Sequence, residues 1–234
     1  STGRFAMELG YHVTLVRDAT AAFSAEAMHA AHEINGRRTP TRSSPQPSSS
    51  ASSTTDHQTP QEGIVASTVL ADSTSTAVID APIDAIDLAD WLFNLEDAEY
   101  QRCAPGEHIA AGATTTDDGR PMSINVEQVG TALAIQHYIG EIVTPSHCKL
   151  VSVSDSFTPL GRTTLNVTWE LTLSTAGEQS LLTNRVLILP TTEYLEFLQH
   201  HGIPADQAAA ESQASITRHN TVETPLFAKS IERK

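Results

Sequence analysis

The sequence predicts an α+β domain over residues 63–234, a curved antiparallel sheet gripping a C-terminal helix, preceded by an incomplete α/β fragment and a disordered linker. Three observations carry this. Five apolar-rich segments follow one another, "MSINVEQV", "ALAIQHYIGEI", "KLVSVSDSF", "TTLNVTWELTL" and "SLLTNRVLIL", set off by turn signals such as "DDGRP" ahead of the first and "TPSH", "TPLGR" and "TAGEQ" between the later ones. In the fourth segment Leu165, Val167, Trp169, Leu171 and Leu173 share one face, while Asn166, Thr168, Glu170 and Thr172 share the other. That period of two marks a half-buried antiparallel strand. Helical patterns bracket the run on both sides.

Residues 1–36 read as helix, strand, helix. A helix ends at Gly10, "YHVTLV" alternates as a strand, and Ser24 caps a second helix that stops at Asn35-Gly36. A single strand cannot satisfy its own edges, so this zone calls for strands outside the chain. The opening "STGRFAMELG" reads as the inside of a helix without a cap, which suggests an upstream segment. Residues 37–62 hold no apolar side chain larger than Ala, and 16 of the 26 are Ser, Thr or Pro. Such a stretch cannot offset the entropy of ordering and is expected to be a disordered linker.

In residues 63–234, "TSTAVI" reads as a first strand. An amphipathic helix follows in "DAPIDAIDLADWLFNL", with Pro82 in its first turn, Asp84 and Asp87 at its positive end, and Ile83, Ile86, Trp91, Leu92 and Leu95 as apolar anchors. After the strands, "TTEYLEFLQHHG" reads as a short helix closed by Gly202, and "PADQAAAESQASITRHN" as a longer one opened by Pro204. The last stretch, "RHNTVETPLFAKSIERK", reads equally as a docking segment or a frayed tail.

The net charge is −14, with 22 acidic against 9 basic residues in residues 63–234. An acidic surface repels nucleic acid and anionic membrane, and no basic patch opposes this. No apolar run approaches the ~18 residues of a membrane span. Without a signal peptide the chain reads as cytoplasmic, with Cys103 and Cys148 as reduced, buried thiols rather than a disulfide or a nucleophile.

The run "TGRFAMELGYHVTLVRDATAAFSAEAMHAAHEING" resembles the rear part of isochorismatase-like cysteine hydrolases through its TGR, ELGY, DA and AAFS elements in order. The resemblance implies a Cys nucleophile just ahead of Ser1, with an Asp and a Lys from still earlier strands. None has a match in this chain, and Asp18 follows a later strand than the family's catalytic Asp. No catalytic residue carries over, so a catalytically incomplete remnant is expected, and whether the chain is an enzyme stays open. The segment "STAVIDAPIDAIDLADWLFNL", with the strand series and closing helix, resembles the START-type helix-grip superfamily, also called SRPBCC. That resemblance implies a cavity between sheet and C-terminal helix.

The expected function is binding of a small hydrophobic or amphipathic ligand in that cavity. His137, Trp169 and Arg185 are the candidate ligand-binding residues. His137 shares a face with Leu133, Ile135 and Ile139, and if that face is concave it projects inward while Tyr138 points away. His29 and His32, one helical turn apart, read as solvated histidines; neither a metal nor a cofactor is expected. Cys103 with His108 could pair only if the fold brings them together. Two alternatives remain: a complete cysteine hydrolase fused to this domain, or a non-catalytic dimerisation or scaffold module.

Overall fold

A computed structural model describes residues 69–234. The hydrolase-like fragment at 1–36, the linker at 37–62 and the expected domain start at residue 63 lie outside the described residues. Seven antiparallel strands form one sheet in the order β1-β7-β6-β5-β4-β3-β2. The strands are β1 (Ala71–Ile79), β2 (His108–Thr115), β3 (Pro121–Val129), β4 (Ala132–Thr144), β5 (His147–Thr158), β6 (Gly161–Ala176) and β7 (Gln179–Pro190). The helices are α1 (Leu88–Phe93), α2 (Asp97–Cys103), α3 (Thr192–His201) and α4 (Ala205–Glu232). The expected α+β architecture is present.

Between β1 and β2 the sequence predicts one helix, and the structure has three short pieces. A 3-10 turn at Ile83–Ala85 follows Pro82, α1 begins after Asp87, and α2 begins after Glu96. Asp87 holds an extended backbone and accepts the Asp90 N–H at 2.9 Å, so it starts a helix rather than sitting inside one. The sequence reading passed over α2 and β2. β2, "HIAAGATT", has exposed Ala, Gly and Thr along its outer half and too little apolar alternation to announce a strand.

The strand faces carry two different polarities. On β6 the expected alternation holds: Val167, Trp169, Leu171 and Leu173 are buried. With Leu150, Leu182, Ile79, Trp91, Phe227 and Ile231 they form an apolar core. On β3, β4 and β5 the inward residues are largely polar: Ser123, Asn125, Glu127, Gln136, Ser152, Ser154 and Ser156 are all buried.

α4 runs 28 residues and does not fray. It continues through Pro225, which is exposed and removes one helix hydrogen bond. Burial of Phe227, Ala228 and Ile231 against the core compensates for the missing bond. Gly202, at φ +65°, closes α3 and lets the chain reverse into α4, as expected of that glycine.

The end of α4 is tied to α2 by charge. Arg233 and Arg102 both donate to the Glu99 carboxylate. Burial pushes Glu99 up, but Ser230, Arg233 and Arg102 outweigh it and hold the group at about 2, against an ordinary 4.5. A depressed acid stabilises the fold fully above its ordinary value and loses that contribution as pH falls towards 2. Glu99→Gln should therefore lower stability at pH 7 by an amount that shrinks between about pH 4.5 and pH 2, as followed by denaturant titration at each pH. A pH-independent difference would rule out the ionic contribution.

Trp169 supplies the second test. Trp169→Ala removes a buried indole and leaves the Asn184 Oδ1 that accepts its N–H at 3.0 Å. The expected cost is about 3–5 kcal/mol. Glu170→Ala removes only a part-exposed contact to His147 and should stay within about 1 kcal/mol. Equal losses in chemical unfolding would place Trp169 outside the core.

Candidate functional site

Between the sheet and helices α3 and α4 lies a cavity of about 450 Å³. Its apolar wall includes Leu165, Val167, Val186, Ile188, Phe197 and Ile216. Its polar wall comes from the inward residues of β3–β5, with Asn125, Glu127, Gln136, Ser154 and Ser156, and from His219 and Glu223 on α4. Glu127, Asp155, Glu211 and Glu223 line it, and among the described residues no lysine or arginine does. Gln136 Oε1 is buried there without a hydrogen-bond partner.

Of the three expected site residues, Trp169 lines this cavity. His137 and Arg185 do not. His137 is exposed, and Gln136 and Tyr138 point inward instead. The expectation took the face with Leu133, Ile135 and Ile139 as the concave one. That apolar face is the outer, half-buried one, and the polar face of β4 is turned to the cavity. Arg185 sits at the surface and makes a two-pronged ion pair with Asp72 of β1, at 2.9 and 2.8 Å.

At one end the cavity reaches a group of ionisable side chains that the sequence reading did not assemble. His108 is the first residue of β2, while His219 and Glu223 stand one helical turn apart on α4. The Nε2 atoms of His108 and His219 lie 3.2 and 3.3 Å from Glu223 Oε2. Each ring is held from behind. His108 Nδ1 is 2.8 Å from the Tyr100 carbonyl oxygen; a carbonyl only accepts, so Nδ1 carries the proton. His219 Nδ1 is 2.5 Å from Glu107 Oε2. Asn184 donates to Glu223 Oε1 at 3.0 Å, and the Tyr100 hydroxyl donates to Glu127 Oε1 at 2.5 Å. Tyr100 also stacks on His108, with ring centroids 3.8 Å apart.

The electrostatics follow from this crowding. Burial pulls His219 down, but Glu223, Glu127 and Glu107 outweigh it and raise the imidazole well above its ordinary value. Burial pushes Glu223 up, and the imidazoles of His219 and His108 hold it below the usual carboxylate range. Burial and then Glu127 push the Tyr100 and Tyr138 hydroxyls above theirs. The sequence held one usable signal, the His219–Glu223 spacing followed by Phe227 and Ile231 on the same helical face.

No family model matches the chain, and no curated protein matches its sequence. Solved structures do match. The di-domain ARO/CYC StfQ of the steffimycin biosynthetic pathway aligns at TM-score 0.51 and 10% identity, over 70% of this chain and 51% of that one. The chain thus spans about half the length of that relative. The Zhui aromatase/cyclase from a Streptomyces species aligns at TM-score 0.50 and 13% identity, over 69% and 93%. A START superfamily protein from Mycobacterium smegmatis aligns at 0.42 and 14%, over 69% and 94%. The fold is an α+β helix grip, a curved antiparallel sheet closed by a long C-terminal helix. Among the described residues no helix is long and apolar enough to cross a membrane.

The two thiols lie apart from the cavity. Cys103 and Cys148 are both buried and free, and burial pushes them up to about 12 and about 11. A thiol so raised is almost wholly protonated at pH 8 and is a poor nucleophile. In the native protein neither should react with an aromatic disulfide reagent at that pH, and both should react after unfolding in guanidinium. A fast native phase would place one of them at the surface.

Proposed function

We propose that this domain binds a small, mainly apolar molecule in the cavity between the sheet and α4. The observation that carries the reading is the cavity's composition. It is within the size of small-molecule sites, about 300–1,000 Å³, and has one apolar wall and one polar wall. Trp169, Phe197 and Ile216 would contact the apolar body. Asn125, Gln136, Ser154 and Ser156 would meet polar groups at one side, and a donor on the ligand would satisfy Gln136 Oε1. With four acidic residues and, among the described residues, no lysine or arginine in the lining, the favoured ligand is neutral or cationic rather than a carboxylate or sulfonate. His137 and Arg185, pointing elsewhere, take no part. The hydrolase resemblance of residues 1–36 adds no catalytic group to this reading, and the two protonated thiols offer no substitute.

The test uses a neutral fluorescent probe, Nile red, on the native full chain. The expected result is saturable binding that falls at least tenfold in Ser154→Phe, which fills the cavity from the β5 wall, and is unchanged in His137→Leu. Ser215→Phe fills it from α4 and serves if the first variant is unstable. Absence of probe binding, or binding that neither filling variant weakens, would overturn the reading.

A further inference from the structure

We propose that His108, His219 and Glu223 form a binding site for one divalent transition-metal ion at the acidic end of the cavity. The three residues are buried together, with side chains 0%, 5% and 5% exposed, and their ligating atoms all lie within 4.8 Å of one another.

The geometry favours an ion over hydrogen bonds. Both imidazole Nε2 atoms lie within ion-pair distance of Glu223 Oε2, yet neither is aligned for a hydrogen bond to it, and both are buried without a hydrogen-bond partner. Buried polar atoms are almost always satisfied, so two nitrogens gathered beside one carboxylate oxygen, out of hydrogen-bond alignment with it, need a cause. An ion supplies it. Metal–ligand bonds of about 2.0–2.1 Å, at tetrahedral or octahedral angles, space neighbouring ligand atoms about 3 Å apart. The separations here are 3.2 and 3.3 Å. Glu127 Oε2, at 3.6 Å from His219 Nε2, is placed to be a fourth ligand.

The surroundings are arranged as ligands of a metal require. The proton on His108 Nδ1 points to the Tyr100 carbonyl, which leaves Nε2 as the lone-pair nitrogen. Glu107 holds His219 Nδ1 in the same manner. Asn184 occupies Glu223 Oε1 and leaves Oε2 to the ion. Such outer contacts fix ring orientation and raise ligand basicity. A divalent ion would also offset most of the local charge: three carboxylates crowd two imidazoles, and among the described residues no lysine or arginine pairs with Glu107, Glu127 or Glu223. Two imidazoles with a carboxylate suit zinc, iron(II) or cobalt(II) rather than magnesium or calcium. His219 and Glu223 line the cavity while His108 does not, so the ion's remaining positions would face the cavity. There they could take an oxygen or nitrogen donor from a bound molecule.

The inference stands apart from the ligand reading, because ion binding is measured with no organic molecule present. The full chain is stripped with a chelator and titrated with cobalt(II) and zinc(II), with bound metal measured by mass spectrometry and the cobalt site by its visible spectrum. One equivalent per chain is expected. His108→Ala, His219→Ala and Glu223→Gln should each weaken binding more than tenfold, and Glu107→Gln by about 10–100-fold through His219. The paired variants H29A/H32A and H200A/H201A should leave it unchanged. X-ray absorption on the loaded wild-type protein counts imidazoles without any variant, and two are expected. No stoichiometric binding, fewer than two imidazoles, or loss only in the H29A/H32A or H200A/H201A variants would overturn the proposal.

Discussion

A carboxylate inside the molecule, Glu223, constrains everything around it. Burying an unpaired carboxylate costs several kcal/mol, so its neighbours must be held in place. Asn184 in the middle of β7 donates to it, and Asn184 in turn accepts from Trp169 on β6 and donates to Thr224. Next to His219 on α4, Asn220 donates to the Ser73 carbonyl and hydroxyl on β1 and to the Asn184 carbonyl. β1, β6, β7 and α4 are thereby locked in one register. A slip of α4 by a single residue would break five buried polar contacts and move Phe227 out of the core.

The register divides the sheet into two working halves. Under β1, β6 and β7 the inner face is mainly apolar; Val167, Val186 and Ile188 form the cavity's apolar wall, and the rest closes on α1 and the end of α4, where Trp91 meets Phe227 edge to face and donates to Ser230. Burial of side chains such as these contributes about 1.5–3 kcal/mol each, so this half carries the stability. Under β3–β5 the inner face is polar and only partly covered. It could not close as a dry core without stranding Gln136, Asn125 and the serines, and it forms a cavity wall instead.

This division explains what the sequence made legible. The strand run, the first strand, Gly202 and the inward face of β6 follow from alternation and turn residues, because that half of the sheet obeys the usual apolar-inside rule. His137 was misplaced because β4 inverts the rule: Leu133, Ile135 and Ile139 face outward and Gln136 and Tyr138 inward. The second half of α4 was hidden for a related reason. Its buried stripe reads His219, Asn220, Glu223, Thr224 before any large apolar residue appears, and Pro225 interrupts it. Local propensity argued for an ending, and tertiary contacts overrode it. The ionisable group at the cavity end joins residues 108, 127, 219 and 223, a proximity that no local pattern encodes.

The same helix serves both halves, and its anchoring is uneven. After Glu223 the chain is fastened by Phe227, Ala228 and Ile231. Before His219 only Ala208 is fully buried, and the side facing the cavity offers Ser212, Ser215 and Ile216. An alanine and two serines bury little apolar area, so the first half of α4 gains far less from packing than the second. Adjustment of the cavity would therefore cost least at the start of α4. The middle of the helix stays fixed, because moving it would expose or strand the Glu223 carboxylate. The polar network at residues 219–224 thus marks the boundary between the sparsely packed first half of α4 and its tightly packed second half.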